Sequence, residues 1–197
     1  MGLLIGFVRH GKTNWNAKGI IQGQTDIPLN EEGIAQANAL AVRLSNEQRI
    51  WDAVISSDLQ RARDTAAIIA ERLGIPVLEP DIRFRERYFG EIEGTTEQER
   101  LERWGADWRE QGLGMELDSE VRARGVEAVS DLMGREEGLH VLIVSHGSFI
   151  AQILKELCAD LEDSRLGNLS YSILERQGDG WHPLLHNCTR HLEEIKV

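Results

Sequence analysis

Two apolar runs, far apart in the chain, each end in a His-Gly pair. Leu3-Leu4-Ile5-Gly6-Phe7-Val8 leads into Arg9-His10-Gly11, and Val141-Leu142-Ile143-Val144-Ser145 leads into His146-Gly147. Short apolar runs bounded by turns are the pattern of strands buried on both faces, as in a parallel sheet. Ligands of such sheets gather beyond the carboxyl ends of the strands. The pattern therefore brings two imidazoles to one sheet edge, a pairing that suggests phosphoryl transfer through a histidine.

The remaining chain alternates strand and helix. Asn30 caps a helix with apolar positions Ile34, Ala37, Ala41 and Leu44. Asp52 to Ser56 reads as a strand, and Asp58 opens a helix carrying Leu59, Ala62, Ala66, Ile69 and Leu73 on one face, closed by Gly74. Pro76 to Glu79 reads as a short third strand. The polar stretch 95–114 carries Trp104 and Trp108, four apart on one helical face. Val121, Gly125, Ala128 and Leu132 mark the next helix, and Ile150, Ile153, Leu154 and Leu157 the one after the strand at Val141. Ser170 to Glu175 and Trp181 to His186 flank Gly178-Asp179-Gly180, a hairpin signature. This order predicts an α/β three-layer sandwich, a mostly parallel mixed sheet with helices on both faces. No repeat or linker interrupts it, so residues 1–197 are expected to form one domain, with a helical cap-like insertion at about 95–114.

The balance of 22 basic against 33 acidic residues gives a net charge of −11. Nucleic acid and anionic membranes need cationic footprints, so neither is an expected partner. No apolar run approaches the roughly 20 residues that cross a bilayer. With no secretory pattern at the start and only Cys158 and Cys188, the expectation is a cytoplasmic protein with reduced thiols. A homodimer, joined through an exposed apolar strand or helix face, is the expected assembly. A phosphorylated substrate would also be repelled unless a local cationic cluster overrides the global field. Arg9 and Arg61 supply such a cluster. Arg61 falls in the first turn of its helix, where a cation opposes the macrodipole by a few tenths to about 1 kcal/mol. A bound anion at that position would reverse the sign.

Arg9-His10-Gly11-Lys12-Thr13 with Trp15-Asn16, then Gln22-Gly23 and Asp26-Ile27-Pro28-Leu29, resembles the opening signature of the histidine phosphatase superfamily, in the branch related to cofactor-dependent phosphoglycerate mutase. Ser56-Ser57-Asp58-Leu59-Gln60-Arg61-Ala62 resembles its second block. Arg85-Glu86 with Phe89-Gly90 and Glu93-Gly94 resembles the third, Ser145-His146-Gly147 the fourth, and Asn187 with His191-Leu192 the C-terminal ending. The blocks come in the family's order and span nearly the whole chain. The resemblance implies a phosphoglycerate mutase-like fold and hydrolysis of a small phosphorylated metabolite. It makes His10 the nucleophile, a phosphohistidine its intermediate, and Glu86 the proton donor. Arg9, Arg61 and His146 would hold the phosphate oxygens, with Asn16, Gln22 and the backbone at Gly23 and Gly147 completing the cradle.

The chemistry suits these residue types. A histidine attacks only when neutral, and adjacent guanidinium groups disfavour its protonation. The same cations stabilise charge on the equatorial oxygens as the P–O bond breaks, so neither metal nor cofactor is expected. His140, His182, His186 and His191 show no metal-ligand spacing. Two other readings remain. A mutase would return the phosphoryl group to a second hydroxyl, but the stretch Glu97 to Glu102 is short and acidic where mutases carry a basic insertion. A catalytically silent phosphate-binding module would lack some of the residues named, and none is missing. The chain departs from related phosphatases at Ile92, where many carry Trp, and at Leu117-Asp118-Ser119, where Gly-Glu-Ser is usual.

Overall fold

The computed structural model describes residues 2–49, 51–158, 161 and 165–195. The elements run β1 (Leu4–Arg9), α1 (Asn14–Lys18), α2 (Glu31–Asn46), β2 (Ala53–Ser56), α3 (Gln60–Leu73), α4 (Glu97–Trp104), α5 (Asp118–Arg135), β3 (Val141–Ser145), α6 (Gly147–Leu157), β4 (Tyr171–Gln177) and β5 (Gly180–Cys188). The sheet order is β2-β3-β1-β4-β5. β1 pairs in parallel with β3, and β3 with β2, while β4 runs antiparallel to both β1 and β5. Only β4 therefore opposes the common direction, and the expected mixed, mostly parallel sheet is what forms.

Side-chain alternation along these strands builds a core on each face. Ile5, Phe7, Val141 and Ile143 face α5 and α6, where Val121, Ala128, Phe149 and Ile153 meet them. Leu4, Val8, Leu142 and Val144 face α2 and α3, against Leu40, Leu44, Ala66 and Ile69. Each such Val, Leu, Ile or Phe side chain contributes about 1.5–3 kcal/mol when fully buried. The strand ends that carry chemistry are thus held between two packed layers. In the register of β1 and β3, Arg9 lies opposite Ser145. The next residue on each strand is a histidine, so the pairing itself sets His10 beside His146.

Several local expectations need correction. Val77 makes only an isolated bridge to Val54, and no strand forms at Pro76 to Glu79. Pro76 lacks an amide donor and Pro80 restricts Glu79, so pairing cannot extend. Trp104 and Trp108 do not share a helix. α4 ends at Gly105, whose φ of +79° suits glycine, and Trp108 starts a separate 3₁₀ turn. Both tryptophans still pack together, in a small cluster with Ile92, Leu113, Ile21 and Phe89. In α2 the buried stripe is Gly33, Ala37, Leu40, Ala41 and Leu44, which leaves Ile34 exposed. Asp58 does not cap α3 but pairs through both carboxylate oxygens with Arg85, at 2.7 and 2.5 Å. Asn30 does cap α2, accepting from the Gly33 amide at 2.8 Å.

Candidate active site

His10 follows β1 and is almost wholly buried. Its Nδ1 lies 2.7 Å from the Gly11 carbonyl oxygen, an acceptor only, so Nδ1 carries the proton. The lone pair is therefore on Nε2, which opens on a cavity of about 630 Å³ lined by Arg9, His10, Asn16, Gln22, Gly23, Arg61, Glu86 and Gly147. Burial, then the Arg61 and Arg9 guanidiniums, push the His10 imidazole well below its ordinary titration range. This imidazole is kept neutral more by desolvation than by the neighbouring guanidinium charges.

Arg61 is fully buried in the first turn of α3. It donates from Nη2 to the Gly23 carbonyl at 2.7 Å, from Nη1 to the Thr25 carbonyl at 2.8 Å, and from Nε to His146 Nδ1 at 3.3 Å. Burial lowers its pKa to about 10, with Glu86 opposing that effect, so it keeps its charge at neutral pH. Because Arg61 Nε can only donate, His146 Nδ1 accepts, and His146 Nε2–H donates to Ser57 Oγ at 2.7 Å. His146 is fully buried behind His10, with ring centroids 5.1 Å apart. Both of its nitrogens are engaged, so contact with a phosphate oxygen requires Nδ1 to leave Arg61 and to carry the ring proton, with Ser57 Oγ–H then donating to Nε2. Arg9 donates from Nη1 to the Leu166 carbonyl at 2.6 Å, while its Nε is buried beside Gly147 without a partner.

The neutral donors come from the loop after β1. Thr13 caps α1, a short helix that sequence periodicity does not reveal, through a capping box closed by Asn16. Asn16 Oδ1 accepts from the Thr13 amide at 3.1 Å and from Asn168 Nδ2 at 3.2 Å. Gln22 Oε1 accepts from Thr13 Oγ1 at 2.7 Å. Each of these amides is thereby oriented with its –NH₂ group left for a ligand in the cavity. Close backbone approach explains the glycine of the signature: a Cβ on Gly11 would lie 2.6 Å from the Gly33 carbonyl oxygen.

Glu86 reaches the start of α6. Its Oε1 accepts from the Phe149 amide at 2.9 Å and the Arg87 amide at 2.8 Å, and its Oε2 from the Ser148 amide at 3.1 Å. It thus satisfies two of the orphan donors at that helix end while its carboxyl group lines the cavity. Oε2, with a single hydrogen bond, retains the capacity to carry a proton. Glu93, present in the sequence reading only as part of a motif, is the clamp of the site. It accepts from the Gln24 and Phe89 amides, both at 3.0 Å, and from Thr25 Oγ1 at 2.9 Å. That fixes the loop whose carbonyls receive Arg61. Gly23 has φ of +51°, and a Cβ there would lie 1.9 Å from Glu93 Oε1. Glu93 and Ser57 act through partners distant in sequence, and no local pattern signals either role.

A model of the histidine phosphatase superfamily (branch 1) matches residues 5–189. The chain belongs to that superfamily. This histidine phosphatase is 36% identical over 186 residues to a metal-independent phosphoserine phosphatase of Arabidopsis thaliana, a match spanning 88% of this chain and 76% of that one. It is 40% identical over 197 residues to a probable phosphoglycerate mutase, GpmB, of Serratia proteamaculans, spanning 91% and 87%. Among solved structures, a mycobacterial glucosyl-3-phosphoglycerate phosphatase complexed with VO₃ superimposes with a TM-score of 0.83 at 31% identity, covering 94% of this chain and 99% of that one. The phosphoglycerate mutase-like fold expected from sequence is therefore the observed one.

The buried imidazoles make this histidine phosphatase sensitive to acid. His10 and His146 titrate well below the ordinary value, and His191 at about 4, in each case chiefly through burial. Their folded pKa values are depressed, so below about pH 6.5 the unfolded chain binds protons that the folded chain refuses. Stability should be complete above about pH 6.5 and fall on acidification by up to about 1.4 kcal/mol per pH unit for each histidine. Denaturant unfolding at pH 7.5 and pH 5.0 checks this. Equal stabilities would contradict the assignment of three neutral buried rings.

Proposed function

We propose that this protein hydrolyses small-molecule phosphomonoesters through a phosphohistidine on His10. The observation that carries the reading is the fixed tautomer of His10, whose Nε2 lone pair opens on a cavity walled by Arg9 and Arg61. The Nε2 lone pair attacks phosphorus and the bond to the ester oxygen breaks. Arg9, Arg61 and the –NH₂ groups of Asn16 and Gln22 stabilise the charge on the equatorial oxygens. Glu86 gives its proton to the departing alkoxide. The resulting carboxylate takes a proton from water, whose oxygen attacks phosphorus, the P–N bond breaks and inorganic phosphate leaves. His146 accepts from Arg61 before binding; once the ester arrives, the other tautomer, with Ser57 Oγ–H donating to Nε2, lets Nδ1–H donate to a phosphate oxygen.

Segment 95–114 acts as a cap in this reading, since Trp104, Trp108 and Leu113 pack on Ile21 and Phe89 at the cavity wall. The mutase alternative is less well supported: α4 carries Glu97, Glu99 and Glu102 and offers no basic insertion for a second acidic group. No helix of the described residues is long and apolar enough to cross a membrane. Cys158 and Cys188 stand as reduced thiols, which fits a reducing cytoplasm. The outer edge of β5, with Leu184 exposed, is a surface through which a homodimer could form. Among the described residues, no group of three or more His, Cys, Asp or Glu side chains could hold a metal ion. Phosphate release from a panel of phosphorylated metabolites, ranked by kcat/KM with and without EDTA, tests the proposal. Turnover unchanged by EDTA is expected, and loss of activity restored by a divalent ion would overturn it.

A further inference from the structure

Residues 85–89, which present Glu86 to the cavity, form neither helix nor strand, so no backbone ladder holds them. One side chain of α5 takes over that task. Arg124 donates from Nη1 to the carbonyls of Arg83 and Arg85, at 2.6 and 2.8 Å, and from Nη2 to the carbonyl of Glu86 at 3.2 Å. Its remaining N–H groups go to Glu116, from Nε to Oε1 at 2.6 Å and from Nη2 to Oε2 at 3.0 Å. All five donors of the fork are thereby engaged. The guanidinium carbon also lies over the Phe149 ring, 5.1 Å from its centroid, and the Phe149 amide is one of those that bond the Glu86 carboxylate. Arg124 thus grips the backbone of Glu86 and, through Phe149, the far end of its side chain. Gly125 shows how α5 brings the arginine there. Glycine weakens a helix interior, yet a Cβ at this position would lie 2.1 Å from Ile153 Cδ1 and 3.0 Å from Phe149 Cε2. Close approach of α5 to α6 at that turn puts the adjacent Arg124 within reach of both Phe149 and the loop.

We propose that Arg124 is a positioning residue for the proton donor, holding the Glu86 carboxyl within hydrogen-bond reach of the leaving oxygen while standing outside the cavity itself. A donor misplaced by about 1 Å forfeits up to about 10²-fold in rate. The inference rests on the phosphatase reading with Glu86 as acid, and the leaving group separates positioning from general damage. Glycerol 3-phosphate expels a basic alkoxide that needs the proton, whereas p-nitrophenyl phosphate expels a stabilised phenolate. Arg124→Gln should lower kcat on glycerol 3-phosphate by about 10- to 10²-fold and leave kcat on p-nitrophenyl phosphate nearly unchanged. Arg124→Lys keeps the cation without the planar fork, so its loss should fall between native and Arg124→Gln, and it carries the test where the glutamine variant does not fold. In a Glu86→Gln background, Arg124→Gln should cost nothing further on glycerol 3-phosphate, because the placement of an absent acid no longer matters. Unchanged kcat in Arg124→Gln, equal losses on the two esters, or a loss that adds to that of Glu86→Gln would overturn the positioning role while leaving Glu86 as donor. Absence of any leaving-group contrast in Glu86→Gln itself would remove the donor assignment and this inference together.

Discussion

Replacing His10 with alanine should lower kcat by on the order of 10⁴-fold or more on every phosphomonoester, because the proposed covalent route would lose its nucleophile. Binding should survive, since Arg9, Arg61, Asn16 and Gln22 are held by partners other than the His10 ring. Folding should survive as well. Among the described residues, the imidazole hydrogen-bonds to the carbonyl of the next residue alone, so its removal strands no distant group there. Steady-state kinetics with calorimetric binding of inorganic phosphate separates these quantities. A variant that keeps more than about 1% of native kcat would point to direct attack by water, with His10 a mere ligand of phosphate.

Replacing Glu86 with glutamine should produce a loss that depends on the leaving group. An alkyl phosphate such as glycerol 3-phosphate expels a basic alkoxide and needs the proton, so kcat should fall by about 10²- to 10⁴-fold. p-Nitrophenyl phosphate expels a stabilised phenolate, and its loss should be far smaller. The contrast matters because Glu86 has a second task. Its two oxygens accept from the Ser148 and Phe149 amides at the start of α6 and from the amide of the adjacent Arg87. A glutamine turns a donor toward one of them, which costs about 1–3 kcal/mol in stability. Equal losses on both substrates would mean that Glu86 serves only as the cap of α6, and that the proton comes from elsewhere.

The parts of this site legible in the sequence are those fixed by local pattern. The apolar runs before His10 and His146 predict strands, and parallel pairing in register then sets the two rings side by side. Gly74 and Asn30 end and begin helices where their turn chemistry says they should. What local pattern could not supply lies in contacts across the fold. α1 is five residues long with no buried residue, so no periodicity marks it. The bonds from Glu86 to Ser148 and Phe149 join positions more than 60 apart in the chain. Glu93 reaches the loop that receives Arg61 over a similar separation. The retreat of His146 behind His10 depends on Ser57 and Arg61 together, a three-body arrangement no single motif encodes. The failed strand at Val77 shows the converse: an apolar run between two prolines reads as a strand but lacks the donors to pair.

The covalent step is the centre of the account, and trapping it is the direct test. After brief exposure to ³²P-labelled substrate and quenching in base, the label should be found on residue 10 as an acid-labile, base-stable phosphoramidate, absent from His10→Ala. Label that never appears on this imidazole, while phosphate is still released by the native protein, would contradict the mechanism outright.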